Sequence, residues 1–376
     1  MTQERGLYMR RFAFFLALML GIGCLTAWAE EVPPAEVFQA PRQIVISFTG
    51  DCTLGCTPTE RELPTGFESY VEKNGFEYPF EKVREVFLQD DLTVVNLEGV
   101  FYDYENNRVK KTYNFRAPTA YAQILPLAGI EAVSLSNNHI MDYSEYGLRA
   151  TIQALEAQGT AWFGGNDAAF QTYIFEKDGI KVGFAAAYIS DWWQNKDLYK
   201  NGFEALKAAG CSVIIGCMHG GVEYDVFHDA QQETLAKAFI RYGADIVIGH
   251  HPHTLQGITV EDGRTILWSL GNFAFGGNSQ LRLNHMNESV ISTCIAQITL
   301  SFDEKGVYLG HQLNIIPCHI SGSTEFNDYQ PCPVTGKAAD AVIRAIQRDT
   351  TPRSLKLKPY VEGIGAIQEF VPAPAR

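Results

Sequence analysis

Asp245-Ile246-Val247-Ile248-Gly249-His250-His251-Pro252-His253-Thr254-Leu255-Gln256 is the stretch around which the rest of the chain is arranged. Residues 246–248 are apolar and β-branched and close on Gly249, which predicts a short buried strand over 245–249. His250, His251 and His253 follow at once, on a turn that Pro252 stiffens by fixing its own φ and removing one backbone donor. Neutral imidazole is the commonest metal ligand, and a loop leaving a rigid strand end can hold one in place. A histidine cluster can also be an accident of loop composition. What decides between the two is whether other strands end in matching ligands.

They do. Residues 43–48 read as a strand running into Gly50-Asp51-Cys52-Thr53-Leu54-Gly55, where the glycines allow a tight loop that presents Asp51. A second strand, 92–97, closes on Asn96-Leu97-Glu98-Gly99. A third, 130–135, leads into Asn137-Asn138-His139-Ile140-Met141-Asp142. Residues 211–218 carry His219-Gly220-Gly221-Val222-Glu223-Tyr224 at their end, and 265–270 lead to Gly271-Asn272-Phe273. Helical spacing recurs over 78–89, 118–128, 143–158, 203–209 and 229–242, with a further helix at 337–348. Hairpins are predicted around Lys177-Asp178-Gly179 and Glu261-Asp262-Gly263, and a long closing pair at 289–302 and 307–316. Residues 58–74 read as polar and irregular, and 103–111 as a charged surface loop.

Strands alternating with helices predict an α/β fold, and open α/β sheets place ligands at the carboxyl ends of their strands. Taken singly, Asp51 could be a turn residue, Glu98 a helix cap, and Asn137 and Asn138 turn residues. Repetition at strand after strand makes convergence of Asp51, Glu98, Asn138, His139, His219, His251 and His253 the better reading. His228, His285, His311 and His319 lack a strand-end setting and are read as structural.

The chain has 376 residues, 46% hydrophobic and 19% charged, which is globular rather than disordered. Its formal charge of −13 argues against nucleic acid as a partner. A polyanionic substrate is still admissible, because a metal supplies local positive charge. Met9-Arg10-Arg11, an apolar run to Leu25 and Ala27-Trp28-Ala29 have the form of a secretory signal over residues 1–29. An exposed leader, 30–42, would then precede a main domain over 43–318 and a C-terminal extension over 319–376. Cys24 raises a lipid-anchored alternative, disfavoured by Gly21 where lipoboxes usually have leucine. The other cysteines, odd in number and scattered, form no disulfide framework, although export would permit a bridge such as Cys318 to Cys332.

These motifs resemble the CapA family of bacterial capsule and poly-γ-glutamate synthesis proteins, related to the calcineurin-like metallophosphoesterases. The likeness runs from about residue 43 to 317 and includes His251-Pro252-His253 and Ser269-Leu270-Gly271-Asn272-Phe273. It implies a four-layer αββα sandwich of two mixed β-sheets with a metal site at the strand ends. By that resemblance Asp51 is the first ligand and Glu98 the bridging carboxylate. Asn138, His219 and His251 would serve one ion and His253 the other, with His139 a catalytic histidine beside the leaving group. Asp142, Glu223, His250 and Asn272 would support the ligands or contact substrate. The mixed N/O donor set suits Mn, Fe or Zn, as one or two ions. Two departures stand out: Thr53 occupies the place of a ligand histidine, and Gly220 that of a tryptophan, which would open the site. The family implies an exported, cell-envelope protein acting on poly-γ-glutamate or another envelope polymer alongside membrane-bound synthesis partners. A secreted phosphoesterase and a non-catalytic assembly subunit with a structural metal are the alternatives. The chain has no P-loop with which to activate glutamate.

Overall fold

The computed structural model describes residues 41–277, 288–351 and 357–375. The signal segment expected over 1–29 and His285 lie outside the described residues. Strand β1 (Arg42–Cys52) is followed by α1 (Pro58–Arg61), α2 (Phe67–Asn74), a 3-10 turn (Tyr78–Phe80) and α3 (Arg84–Phe87). Next come β2 (Leu92–Leu97), β3 (Val100–Phe101), β4 (Arg116–Ala117), α4 (Ile124–Ala128), β5 (Ala132–Ser134) and α5 (Ser144–Ala157). The middle of the chain supplies β6 (Ala161–Asn166), β7 (Ala169–Gln171), β8 (Tyr173–Lys177), β9 (Ile180–Tyr188), α6 (Ile189–Gln194) and α7 (Lys196–Ala208). It continues through β10 (Val213–His219), α8 (Ala230–Tyr242), β11 (Ile246–His250), β12 (Ile258–Glu261) and β13 (Arg264–Leu267). The last part holds α9 (Glu288–Ile291), β14 (Ser292–Phe302), β15 (Tyr308–His319), β16 (Cys332–Pro333), α10 (Gly336–Arg348), β17 (Ala366–Ile367) and β18 (Val371–Pro372).

Two mixed sheets result. The larger runs β16-β15-β14-β1-β2-β5-β6-β7, with β17 and β18 also pairing on β15. Its centre is parallel and its β14–β15 side antiparallel. The smaller runs β12-β13-β11-β10-β9-β8, parallel from β9 to β13 with antiparallel edges. Side chains alternate faces along a strand, so each sheet feeds two cores. Val94 joins Ile46, Phe48, Phe184, Ile215 and Ile248 between the sheets. Its neighbour Val95 packs outward with Phe67, Phe87, Leu125 and Leu148 of the helices. Helices α6, α7 and α8 cover the smaller sheet through Trp192, Phe203 and Phe239 against Ile214 and Val247. The architecture is the αββα sandwich.

Histidines away from strand ends serve this packing. His311 is fully buried; its Nε2 lies 2.7 Å from Thr265 Oγ1 and its Nδ1 2.6 Å from the Tyr308 hydroxyl, tying β15 to β13 across the sandwich. Burial pushes its pKa down to about 4, so the ring bridges the sheets uncharged. His228 stacks on Trp268 at 4.1 Å and meets Asp349 at 2.8 Å.

Several elements differ from expectation. Residues 58–74 form α1 and α2 rather than an irregular stretch: Thr57 and Glu60 make a capping box, with Pro58 in the first turn. The single helix expected over 78–89 is instead two short turns, which let Phe80, Val83 and Phe87 all reach the core while Leu88 is left half exposed. Helix 118–128 likewise begins as a 3-10 turn, Thr119–Gln123. Strand β6 went unanticipated because Gly164 and Gly165, both at positive φ, mask its pattern. The C-terminal extension adds β16, β17 and β18 to the edge strand β15. In that register Cys318 faces Pro333 and His319 faces Cys332, so the two cysteines lie on opposite faces and a bridge between them is excluded. Every cysteine among the described residues is a free thiol.

Candidate metal centre

The carboxyl ends of β1, β2, β10 and β11, with the loop after β5, meet at one place. Two glycines make the approach possible. A Cβ on Gly50 would lie 2.1 Å from Gly271 O, and one on Gly249 would lie 1.9 Å from Trp268 O. Asp51 can therefore bridge to Asn272, its amide donating to Gly271 O at 2.9 Å. His251 and His253 both adopt left-handed backbone, φ 99° and 58°. Such conformations are strained by about 1–3 kcal/mol each for ordinary residues and persist where surroundings over-determine them. Here His251 N donates to Asp51 Oδ2 at 3.3 Å and Tyr224 N to Pro252 O at 2.8 Å.

The side chains form a continuous cluster. Asn138 Oδ1 lies 2.9 Å from His219 Nε2, which lies 3.1 Å from His251 Nδ1 and 3.5 Å from Glu98 Oε1. His253 Nδ1 lies 3.2 Å from Asp51 Oδ2 and 2.8 Å from Asn272 Oδ1, with its Nε2 3.9 Å from Glu98. His250 Nδ1 sits 3.2 Å from Asp51 Oδ1, which makes it a support for Asp51. Ligand atoms of Glu98, His251 and His253 fall within 4.8 Å of one another, as do those of Asp51, Glu98 and His219. Glu98 belongs to both groups. It is fully buried, and neither of its oxygens has a hydrogen-bond partner. A buried carboxylate left unpaired is strongly disfavoured, so these residues fit a divalent cation between the imidazoles and Glu98.

The charges point the same way. Burial and the neighbouring Asp51 push Glu98 well above the usual carboxylate range. Burial would raise Asp51 too, but the His250 and His253 imidazoles outweigh it and hold Asp51 well below that range. Burial opposes a charge on His253, yet Glu98 and Asp51 raise it to about 9. Burial, helped by His253, lowers His251 to about 4, and burial with His251 lowers His219 well below its ordinary value.

His139, beside Asn138, makes its shortest polar contact outside this cluster. Its Nδ1 lies 2.6 Å from Asp142 Oδ2, and its ring lies 4.4 Å from Phe115. Glu223 is exposed on the loop after β10, from which its charge acts on Glu98 and His253. Thr53, where a ligand histidine was looked for, is committed to backbone: its hydroxyl donates to Gly55 O at 3.1 Å and accepts from Gly276 N at 2.7 Å. Gly220 does not open the site as expected, since a Cβ there would lie 2.8 Å from Ile189 Cγ2 of α6.

Three residues were not anticipated as part of the site. Asn96 Nδ2 donates to Asp51 Oδ1 at 2.8 Å and lies 3.4 Å from His219 Nδ1. Its place within Asn96-Leu97-Glu98 was a usable signal. Tyr188, at the end of β9, puts its ring 5.9 Å from His219 and 6.4 Å from His251; a polar residue at a strand end was again the clue. Lys111 reaches the His139 turn from within a charge run, and nothing in the sequence marks it.

The family described as "Bacterial capsule synthesis protein PGA_cap" matches residues 45–277, which hold every residue of this cluster. The capsule biosynthesis protein CapA of Bacillus anthracis is 27% identical over 291 residues, 71% of this chain and 68% of that one. The PGA biosynthesis protein CapA of Bacillus subtilis (strain 168) is 28% identical over 280 residues, 69% of this chain and 70% of that one. Among solved structures, an NAD nucleotidase of Haemophilus influenzae overlaps 83% of this chain and 64% of its own, at 11% identity and a TM-score of 0.41.

Proposed function

This chain belongs to the bacterial capsule synthesis protein family PGA_cap, and on that premise we propose that it is an exported, metal-dependent enzyme acting on poly-γ-glutamate or another cell-envelope polymer. The observation that carries the reading is the Glu98 carboxylate, buried with no hydrogen bond to either oxygen between two sets of ligand atoms. His219 and His251 with Asn138, and His253 with Asp51, would hold one or two ions of Mn, Fe or Zn, with Glu98 common to both. Bound there, the cation supplies Lewis-acid polarisation of a substrate oxygen. Asn96 fixes the Asp51 carboxylate, and Asn272 orients the His253 ring, as supporting partners of metal ligands do. Asp142 fixes His139 through Nδ1, so Nε2 is the atom through which the ring takes up and hands on a proton. Burial lowers the His139 pKa although Asp142 works against it, which leaves the ring neutral and able to accept before it donates.

The test is incubation of metal-loaded protein with poly-γ-glutamate and with bis(4-nitrophenyl) phosphate, with and without chelator. Shortening of the polymer that chelation stops is the expected result. Turnover of the aryl diester alone would move the assignment to a phosphoesterase. Turnover of neither, with polymer assembly in cells still dependent on the metal ligands, would make the chain a non-catalytic subunit. Export is part of the proposal and rests on the sequence of residues 1–29; among the described residues no helix is long and apolar enough to cross a membrane. Exported material should begin at Glu30 on N-terminal sequencing. A retained Met1 or Met9 would overturn that, and acylated Cys24 would establish lipid anchoring instead.

A further inference from the structure

The loop between β3 and β4 was expected to be a charged surface excursion, yet its second half is wrapped around one residue of the site. Val109 N donates to Asp142 O at 3.0 Å, and Asn114 Nδ2 donates to the same oxygen at 3.2 Å. Phe115 N donates to Asp142 Oδ2 at 2.6 Å, the oxygen that also meets His139 Nδ1. Lys111 completes the wrap. Its ammonium donates to Asp142 Oδ1 at 2.8 Å and to Asn138 O at 2.7 Å, and sits 3.1 Å from His139 Nδ1. One side chain, itself 30% exposed, thus spans Asn138, His139 and Asp142.

We propose that Lys111 is a positioning residue, which fixes the His139–Asp142 pair in the orientation that turns the His139 Nε2 toward substrate. The inference rests on the reading of His139 as the proton-transferring group and deepens it. Two features favour positioning over substrate binding. Two of the three ammonium protons are spent on Asp142 and Asn138, so little is left for a ligand. In addition, Asp142 is fully buried and receives both the lysine and the histidine, so its two oxygens are divided between them. Without Lys111, Oδ1 loses its partner and the carboxylate is free to rotate about the Phe115 contact, carrying the His139 ring with it. A lysine with two fixed acceptors on one turn is a strut; one facing solvent is not.

The test compares Lys111→Met and Lys111→Arg in the full chain, labelled with 15N-histidine and loaded with zinc. Wild type should show His139 as a single tautomer protonated at Nδ1. Lys111→Met should keep its metal but show exchange between tautomers at His139, and Lys111→Arg, which can reach both acceptors, should restore the single form. With bis(4-nitrophenyl) phosphate, Lys111→Met should lower kcat by about 10- to 100-fold, the usual effect of losing a supporting partner, at unchanged KM. His139 signals in Lys111→Met that superpose on wild type would overturn the inference, whatever the turnover. If wild type turns over no probe, the enzymatic reading fails, but the tautomer comparison still decides the role of Lys111. Should Lys111→Met not fold, Lys111→Gln carries the same comparison.

Discussion

Glu98→Gln should produce a protein that is more stable than wild type without metal and unable to retain metal at all. Glu98 is fully buried, with neither oxygen hydrogen-bonded, and burial together with Asp51 drives its pKa well above the carboxylate range. The sign follows from linkage. The unfolded carboxyl ionises near its ordinary pKa, whereas the folded one holds its proton, so this group's contribution to stability falls as pH rises above the unfolded value. At pH 7 the wild type therefore either takes up a proton on folding or buries a charge, and the neutral amide does neither. The gain should grow with pH by up to about 1.4 kcal/mol per unit above the unfolded pKa, the linkage cost that the neutral amide avoids. The same substitution removes the one ligand common to both groups of ligand atoms, so neither ion should survive dialysis. In wild type, metal affinity should rise as pH rises toward about 9, because Glu98 and His253, the latter raised to about 9, must shed protons to ligate. Chemical denaturation of the chelated proteins, with elemental analysis of the loaded ones, checks both halves. Unchanged metal content in Glu98→Gln would rule out the centre.

His139→Ala should do the opposite: metal stays and turnover goes. The ring contacts Asp142 and Phe115 rather than the ligand cluster, so its removal leaves Asn138, His219, His251 and His253 in place. A positioned proton-transfer group contributes about 10²- to 10⁴-fold in rate, whereas loss of the metal removes nearly all of it. The comparison with His219→Ala in cells separates the classes of function. If both variants fail to support capsule formation and only His219→Ala loses metal, catalysis stands. If His139→Ala supports it as well as wild type while His219→Ala does not, the metal is structural and the enzymatic reading falls.

Most of the parallel framework was legible because strand and helix periodicities are local. The runs at 92–97, 180–188 and 307–316 match β2, β9 and most of β15 with shifts of a few residues at the ends. Expectation failed where a tertiary demand overrode a local pattern, as in the helix expected over 78–89. The periodicity there satisfies one continuous helix, but the core takes Phe80, Val83 and Phe87 from different directions. It also failed at β6, where two glycines hide a strand that has a neighbour on either side to pair with.

The sequence by itself determined which residues stand at the strand ends, because a ligand's place along the chain follows from where a buried apolar run stops. Asp51, Glu98, Asn138, His219, His251 and His253 were all readable in this way. The tertiary structure alone decided how they divide and what holds them. Glu98 faces two groups of ligand atoms because β1, β2, β10 and β11 converge, and no local pattern encodes the distance between two sheets. Lys111 was hidden for the same reason. A lysine within Arg108-Val109-Lys110-Lys111 has the composition of a solvated loop, and only the fold brings its ammonium to an Asp142 carboxylate thirty-one residues away. Whether such a charge is surface or scaffold depends on burial of its partner, which is a property of the packed molecule and not of the segment.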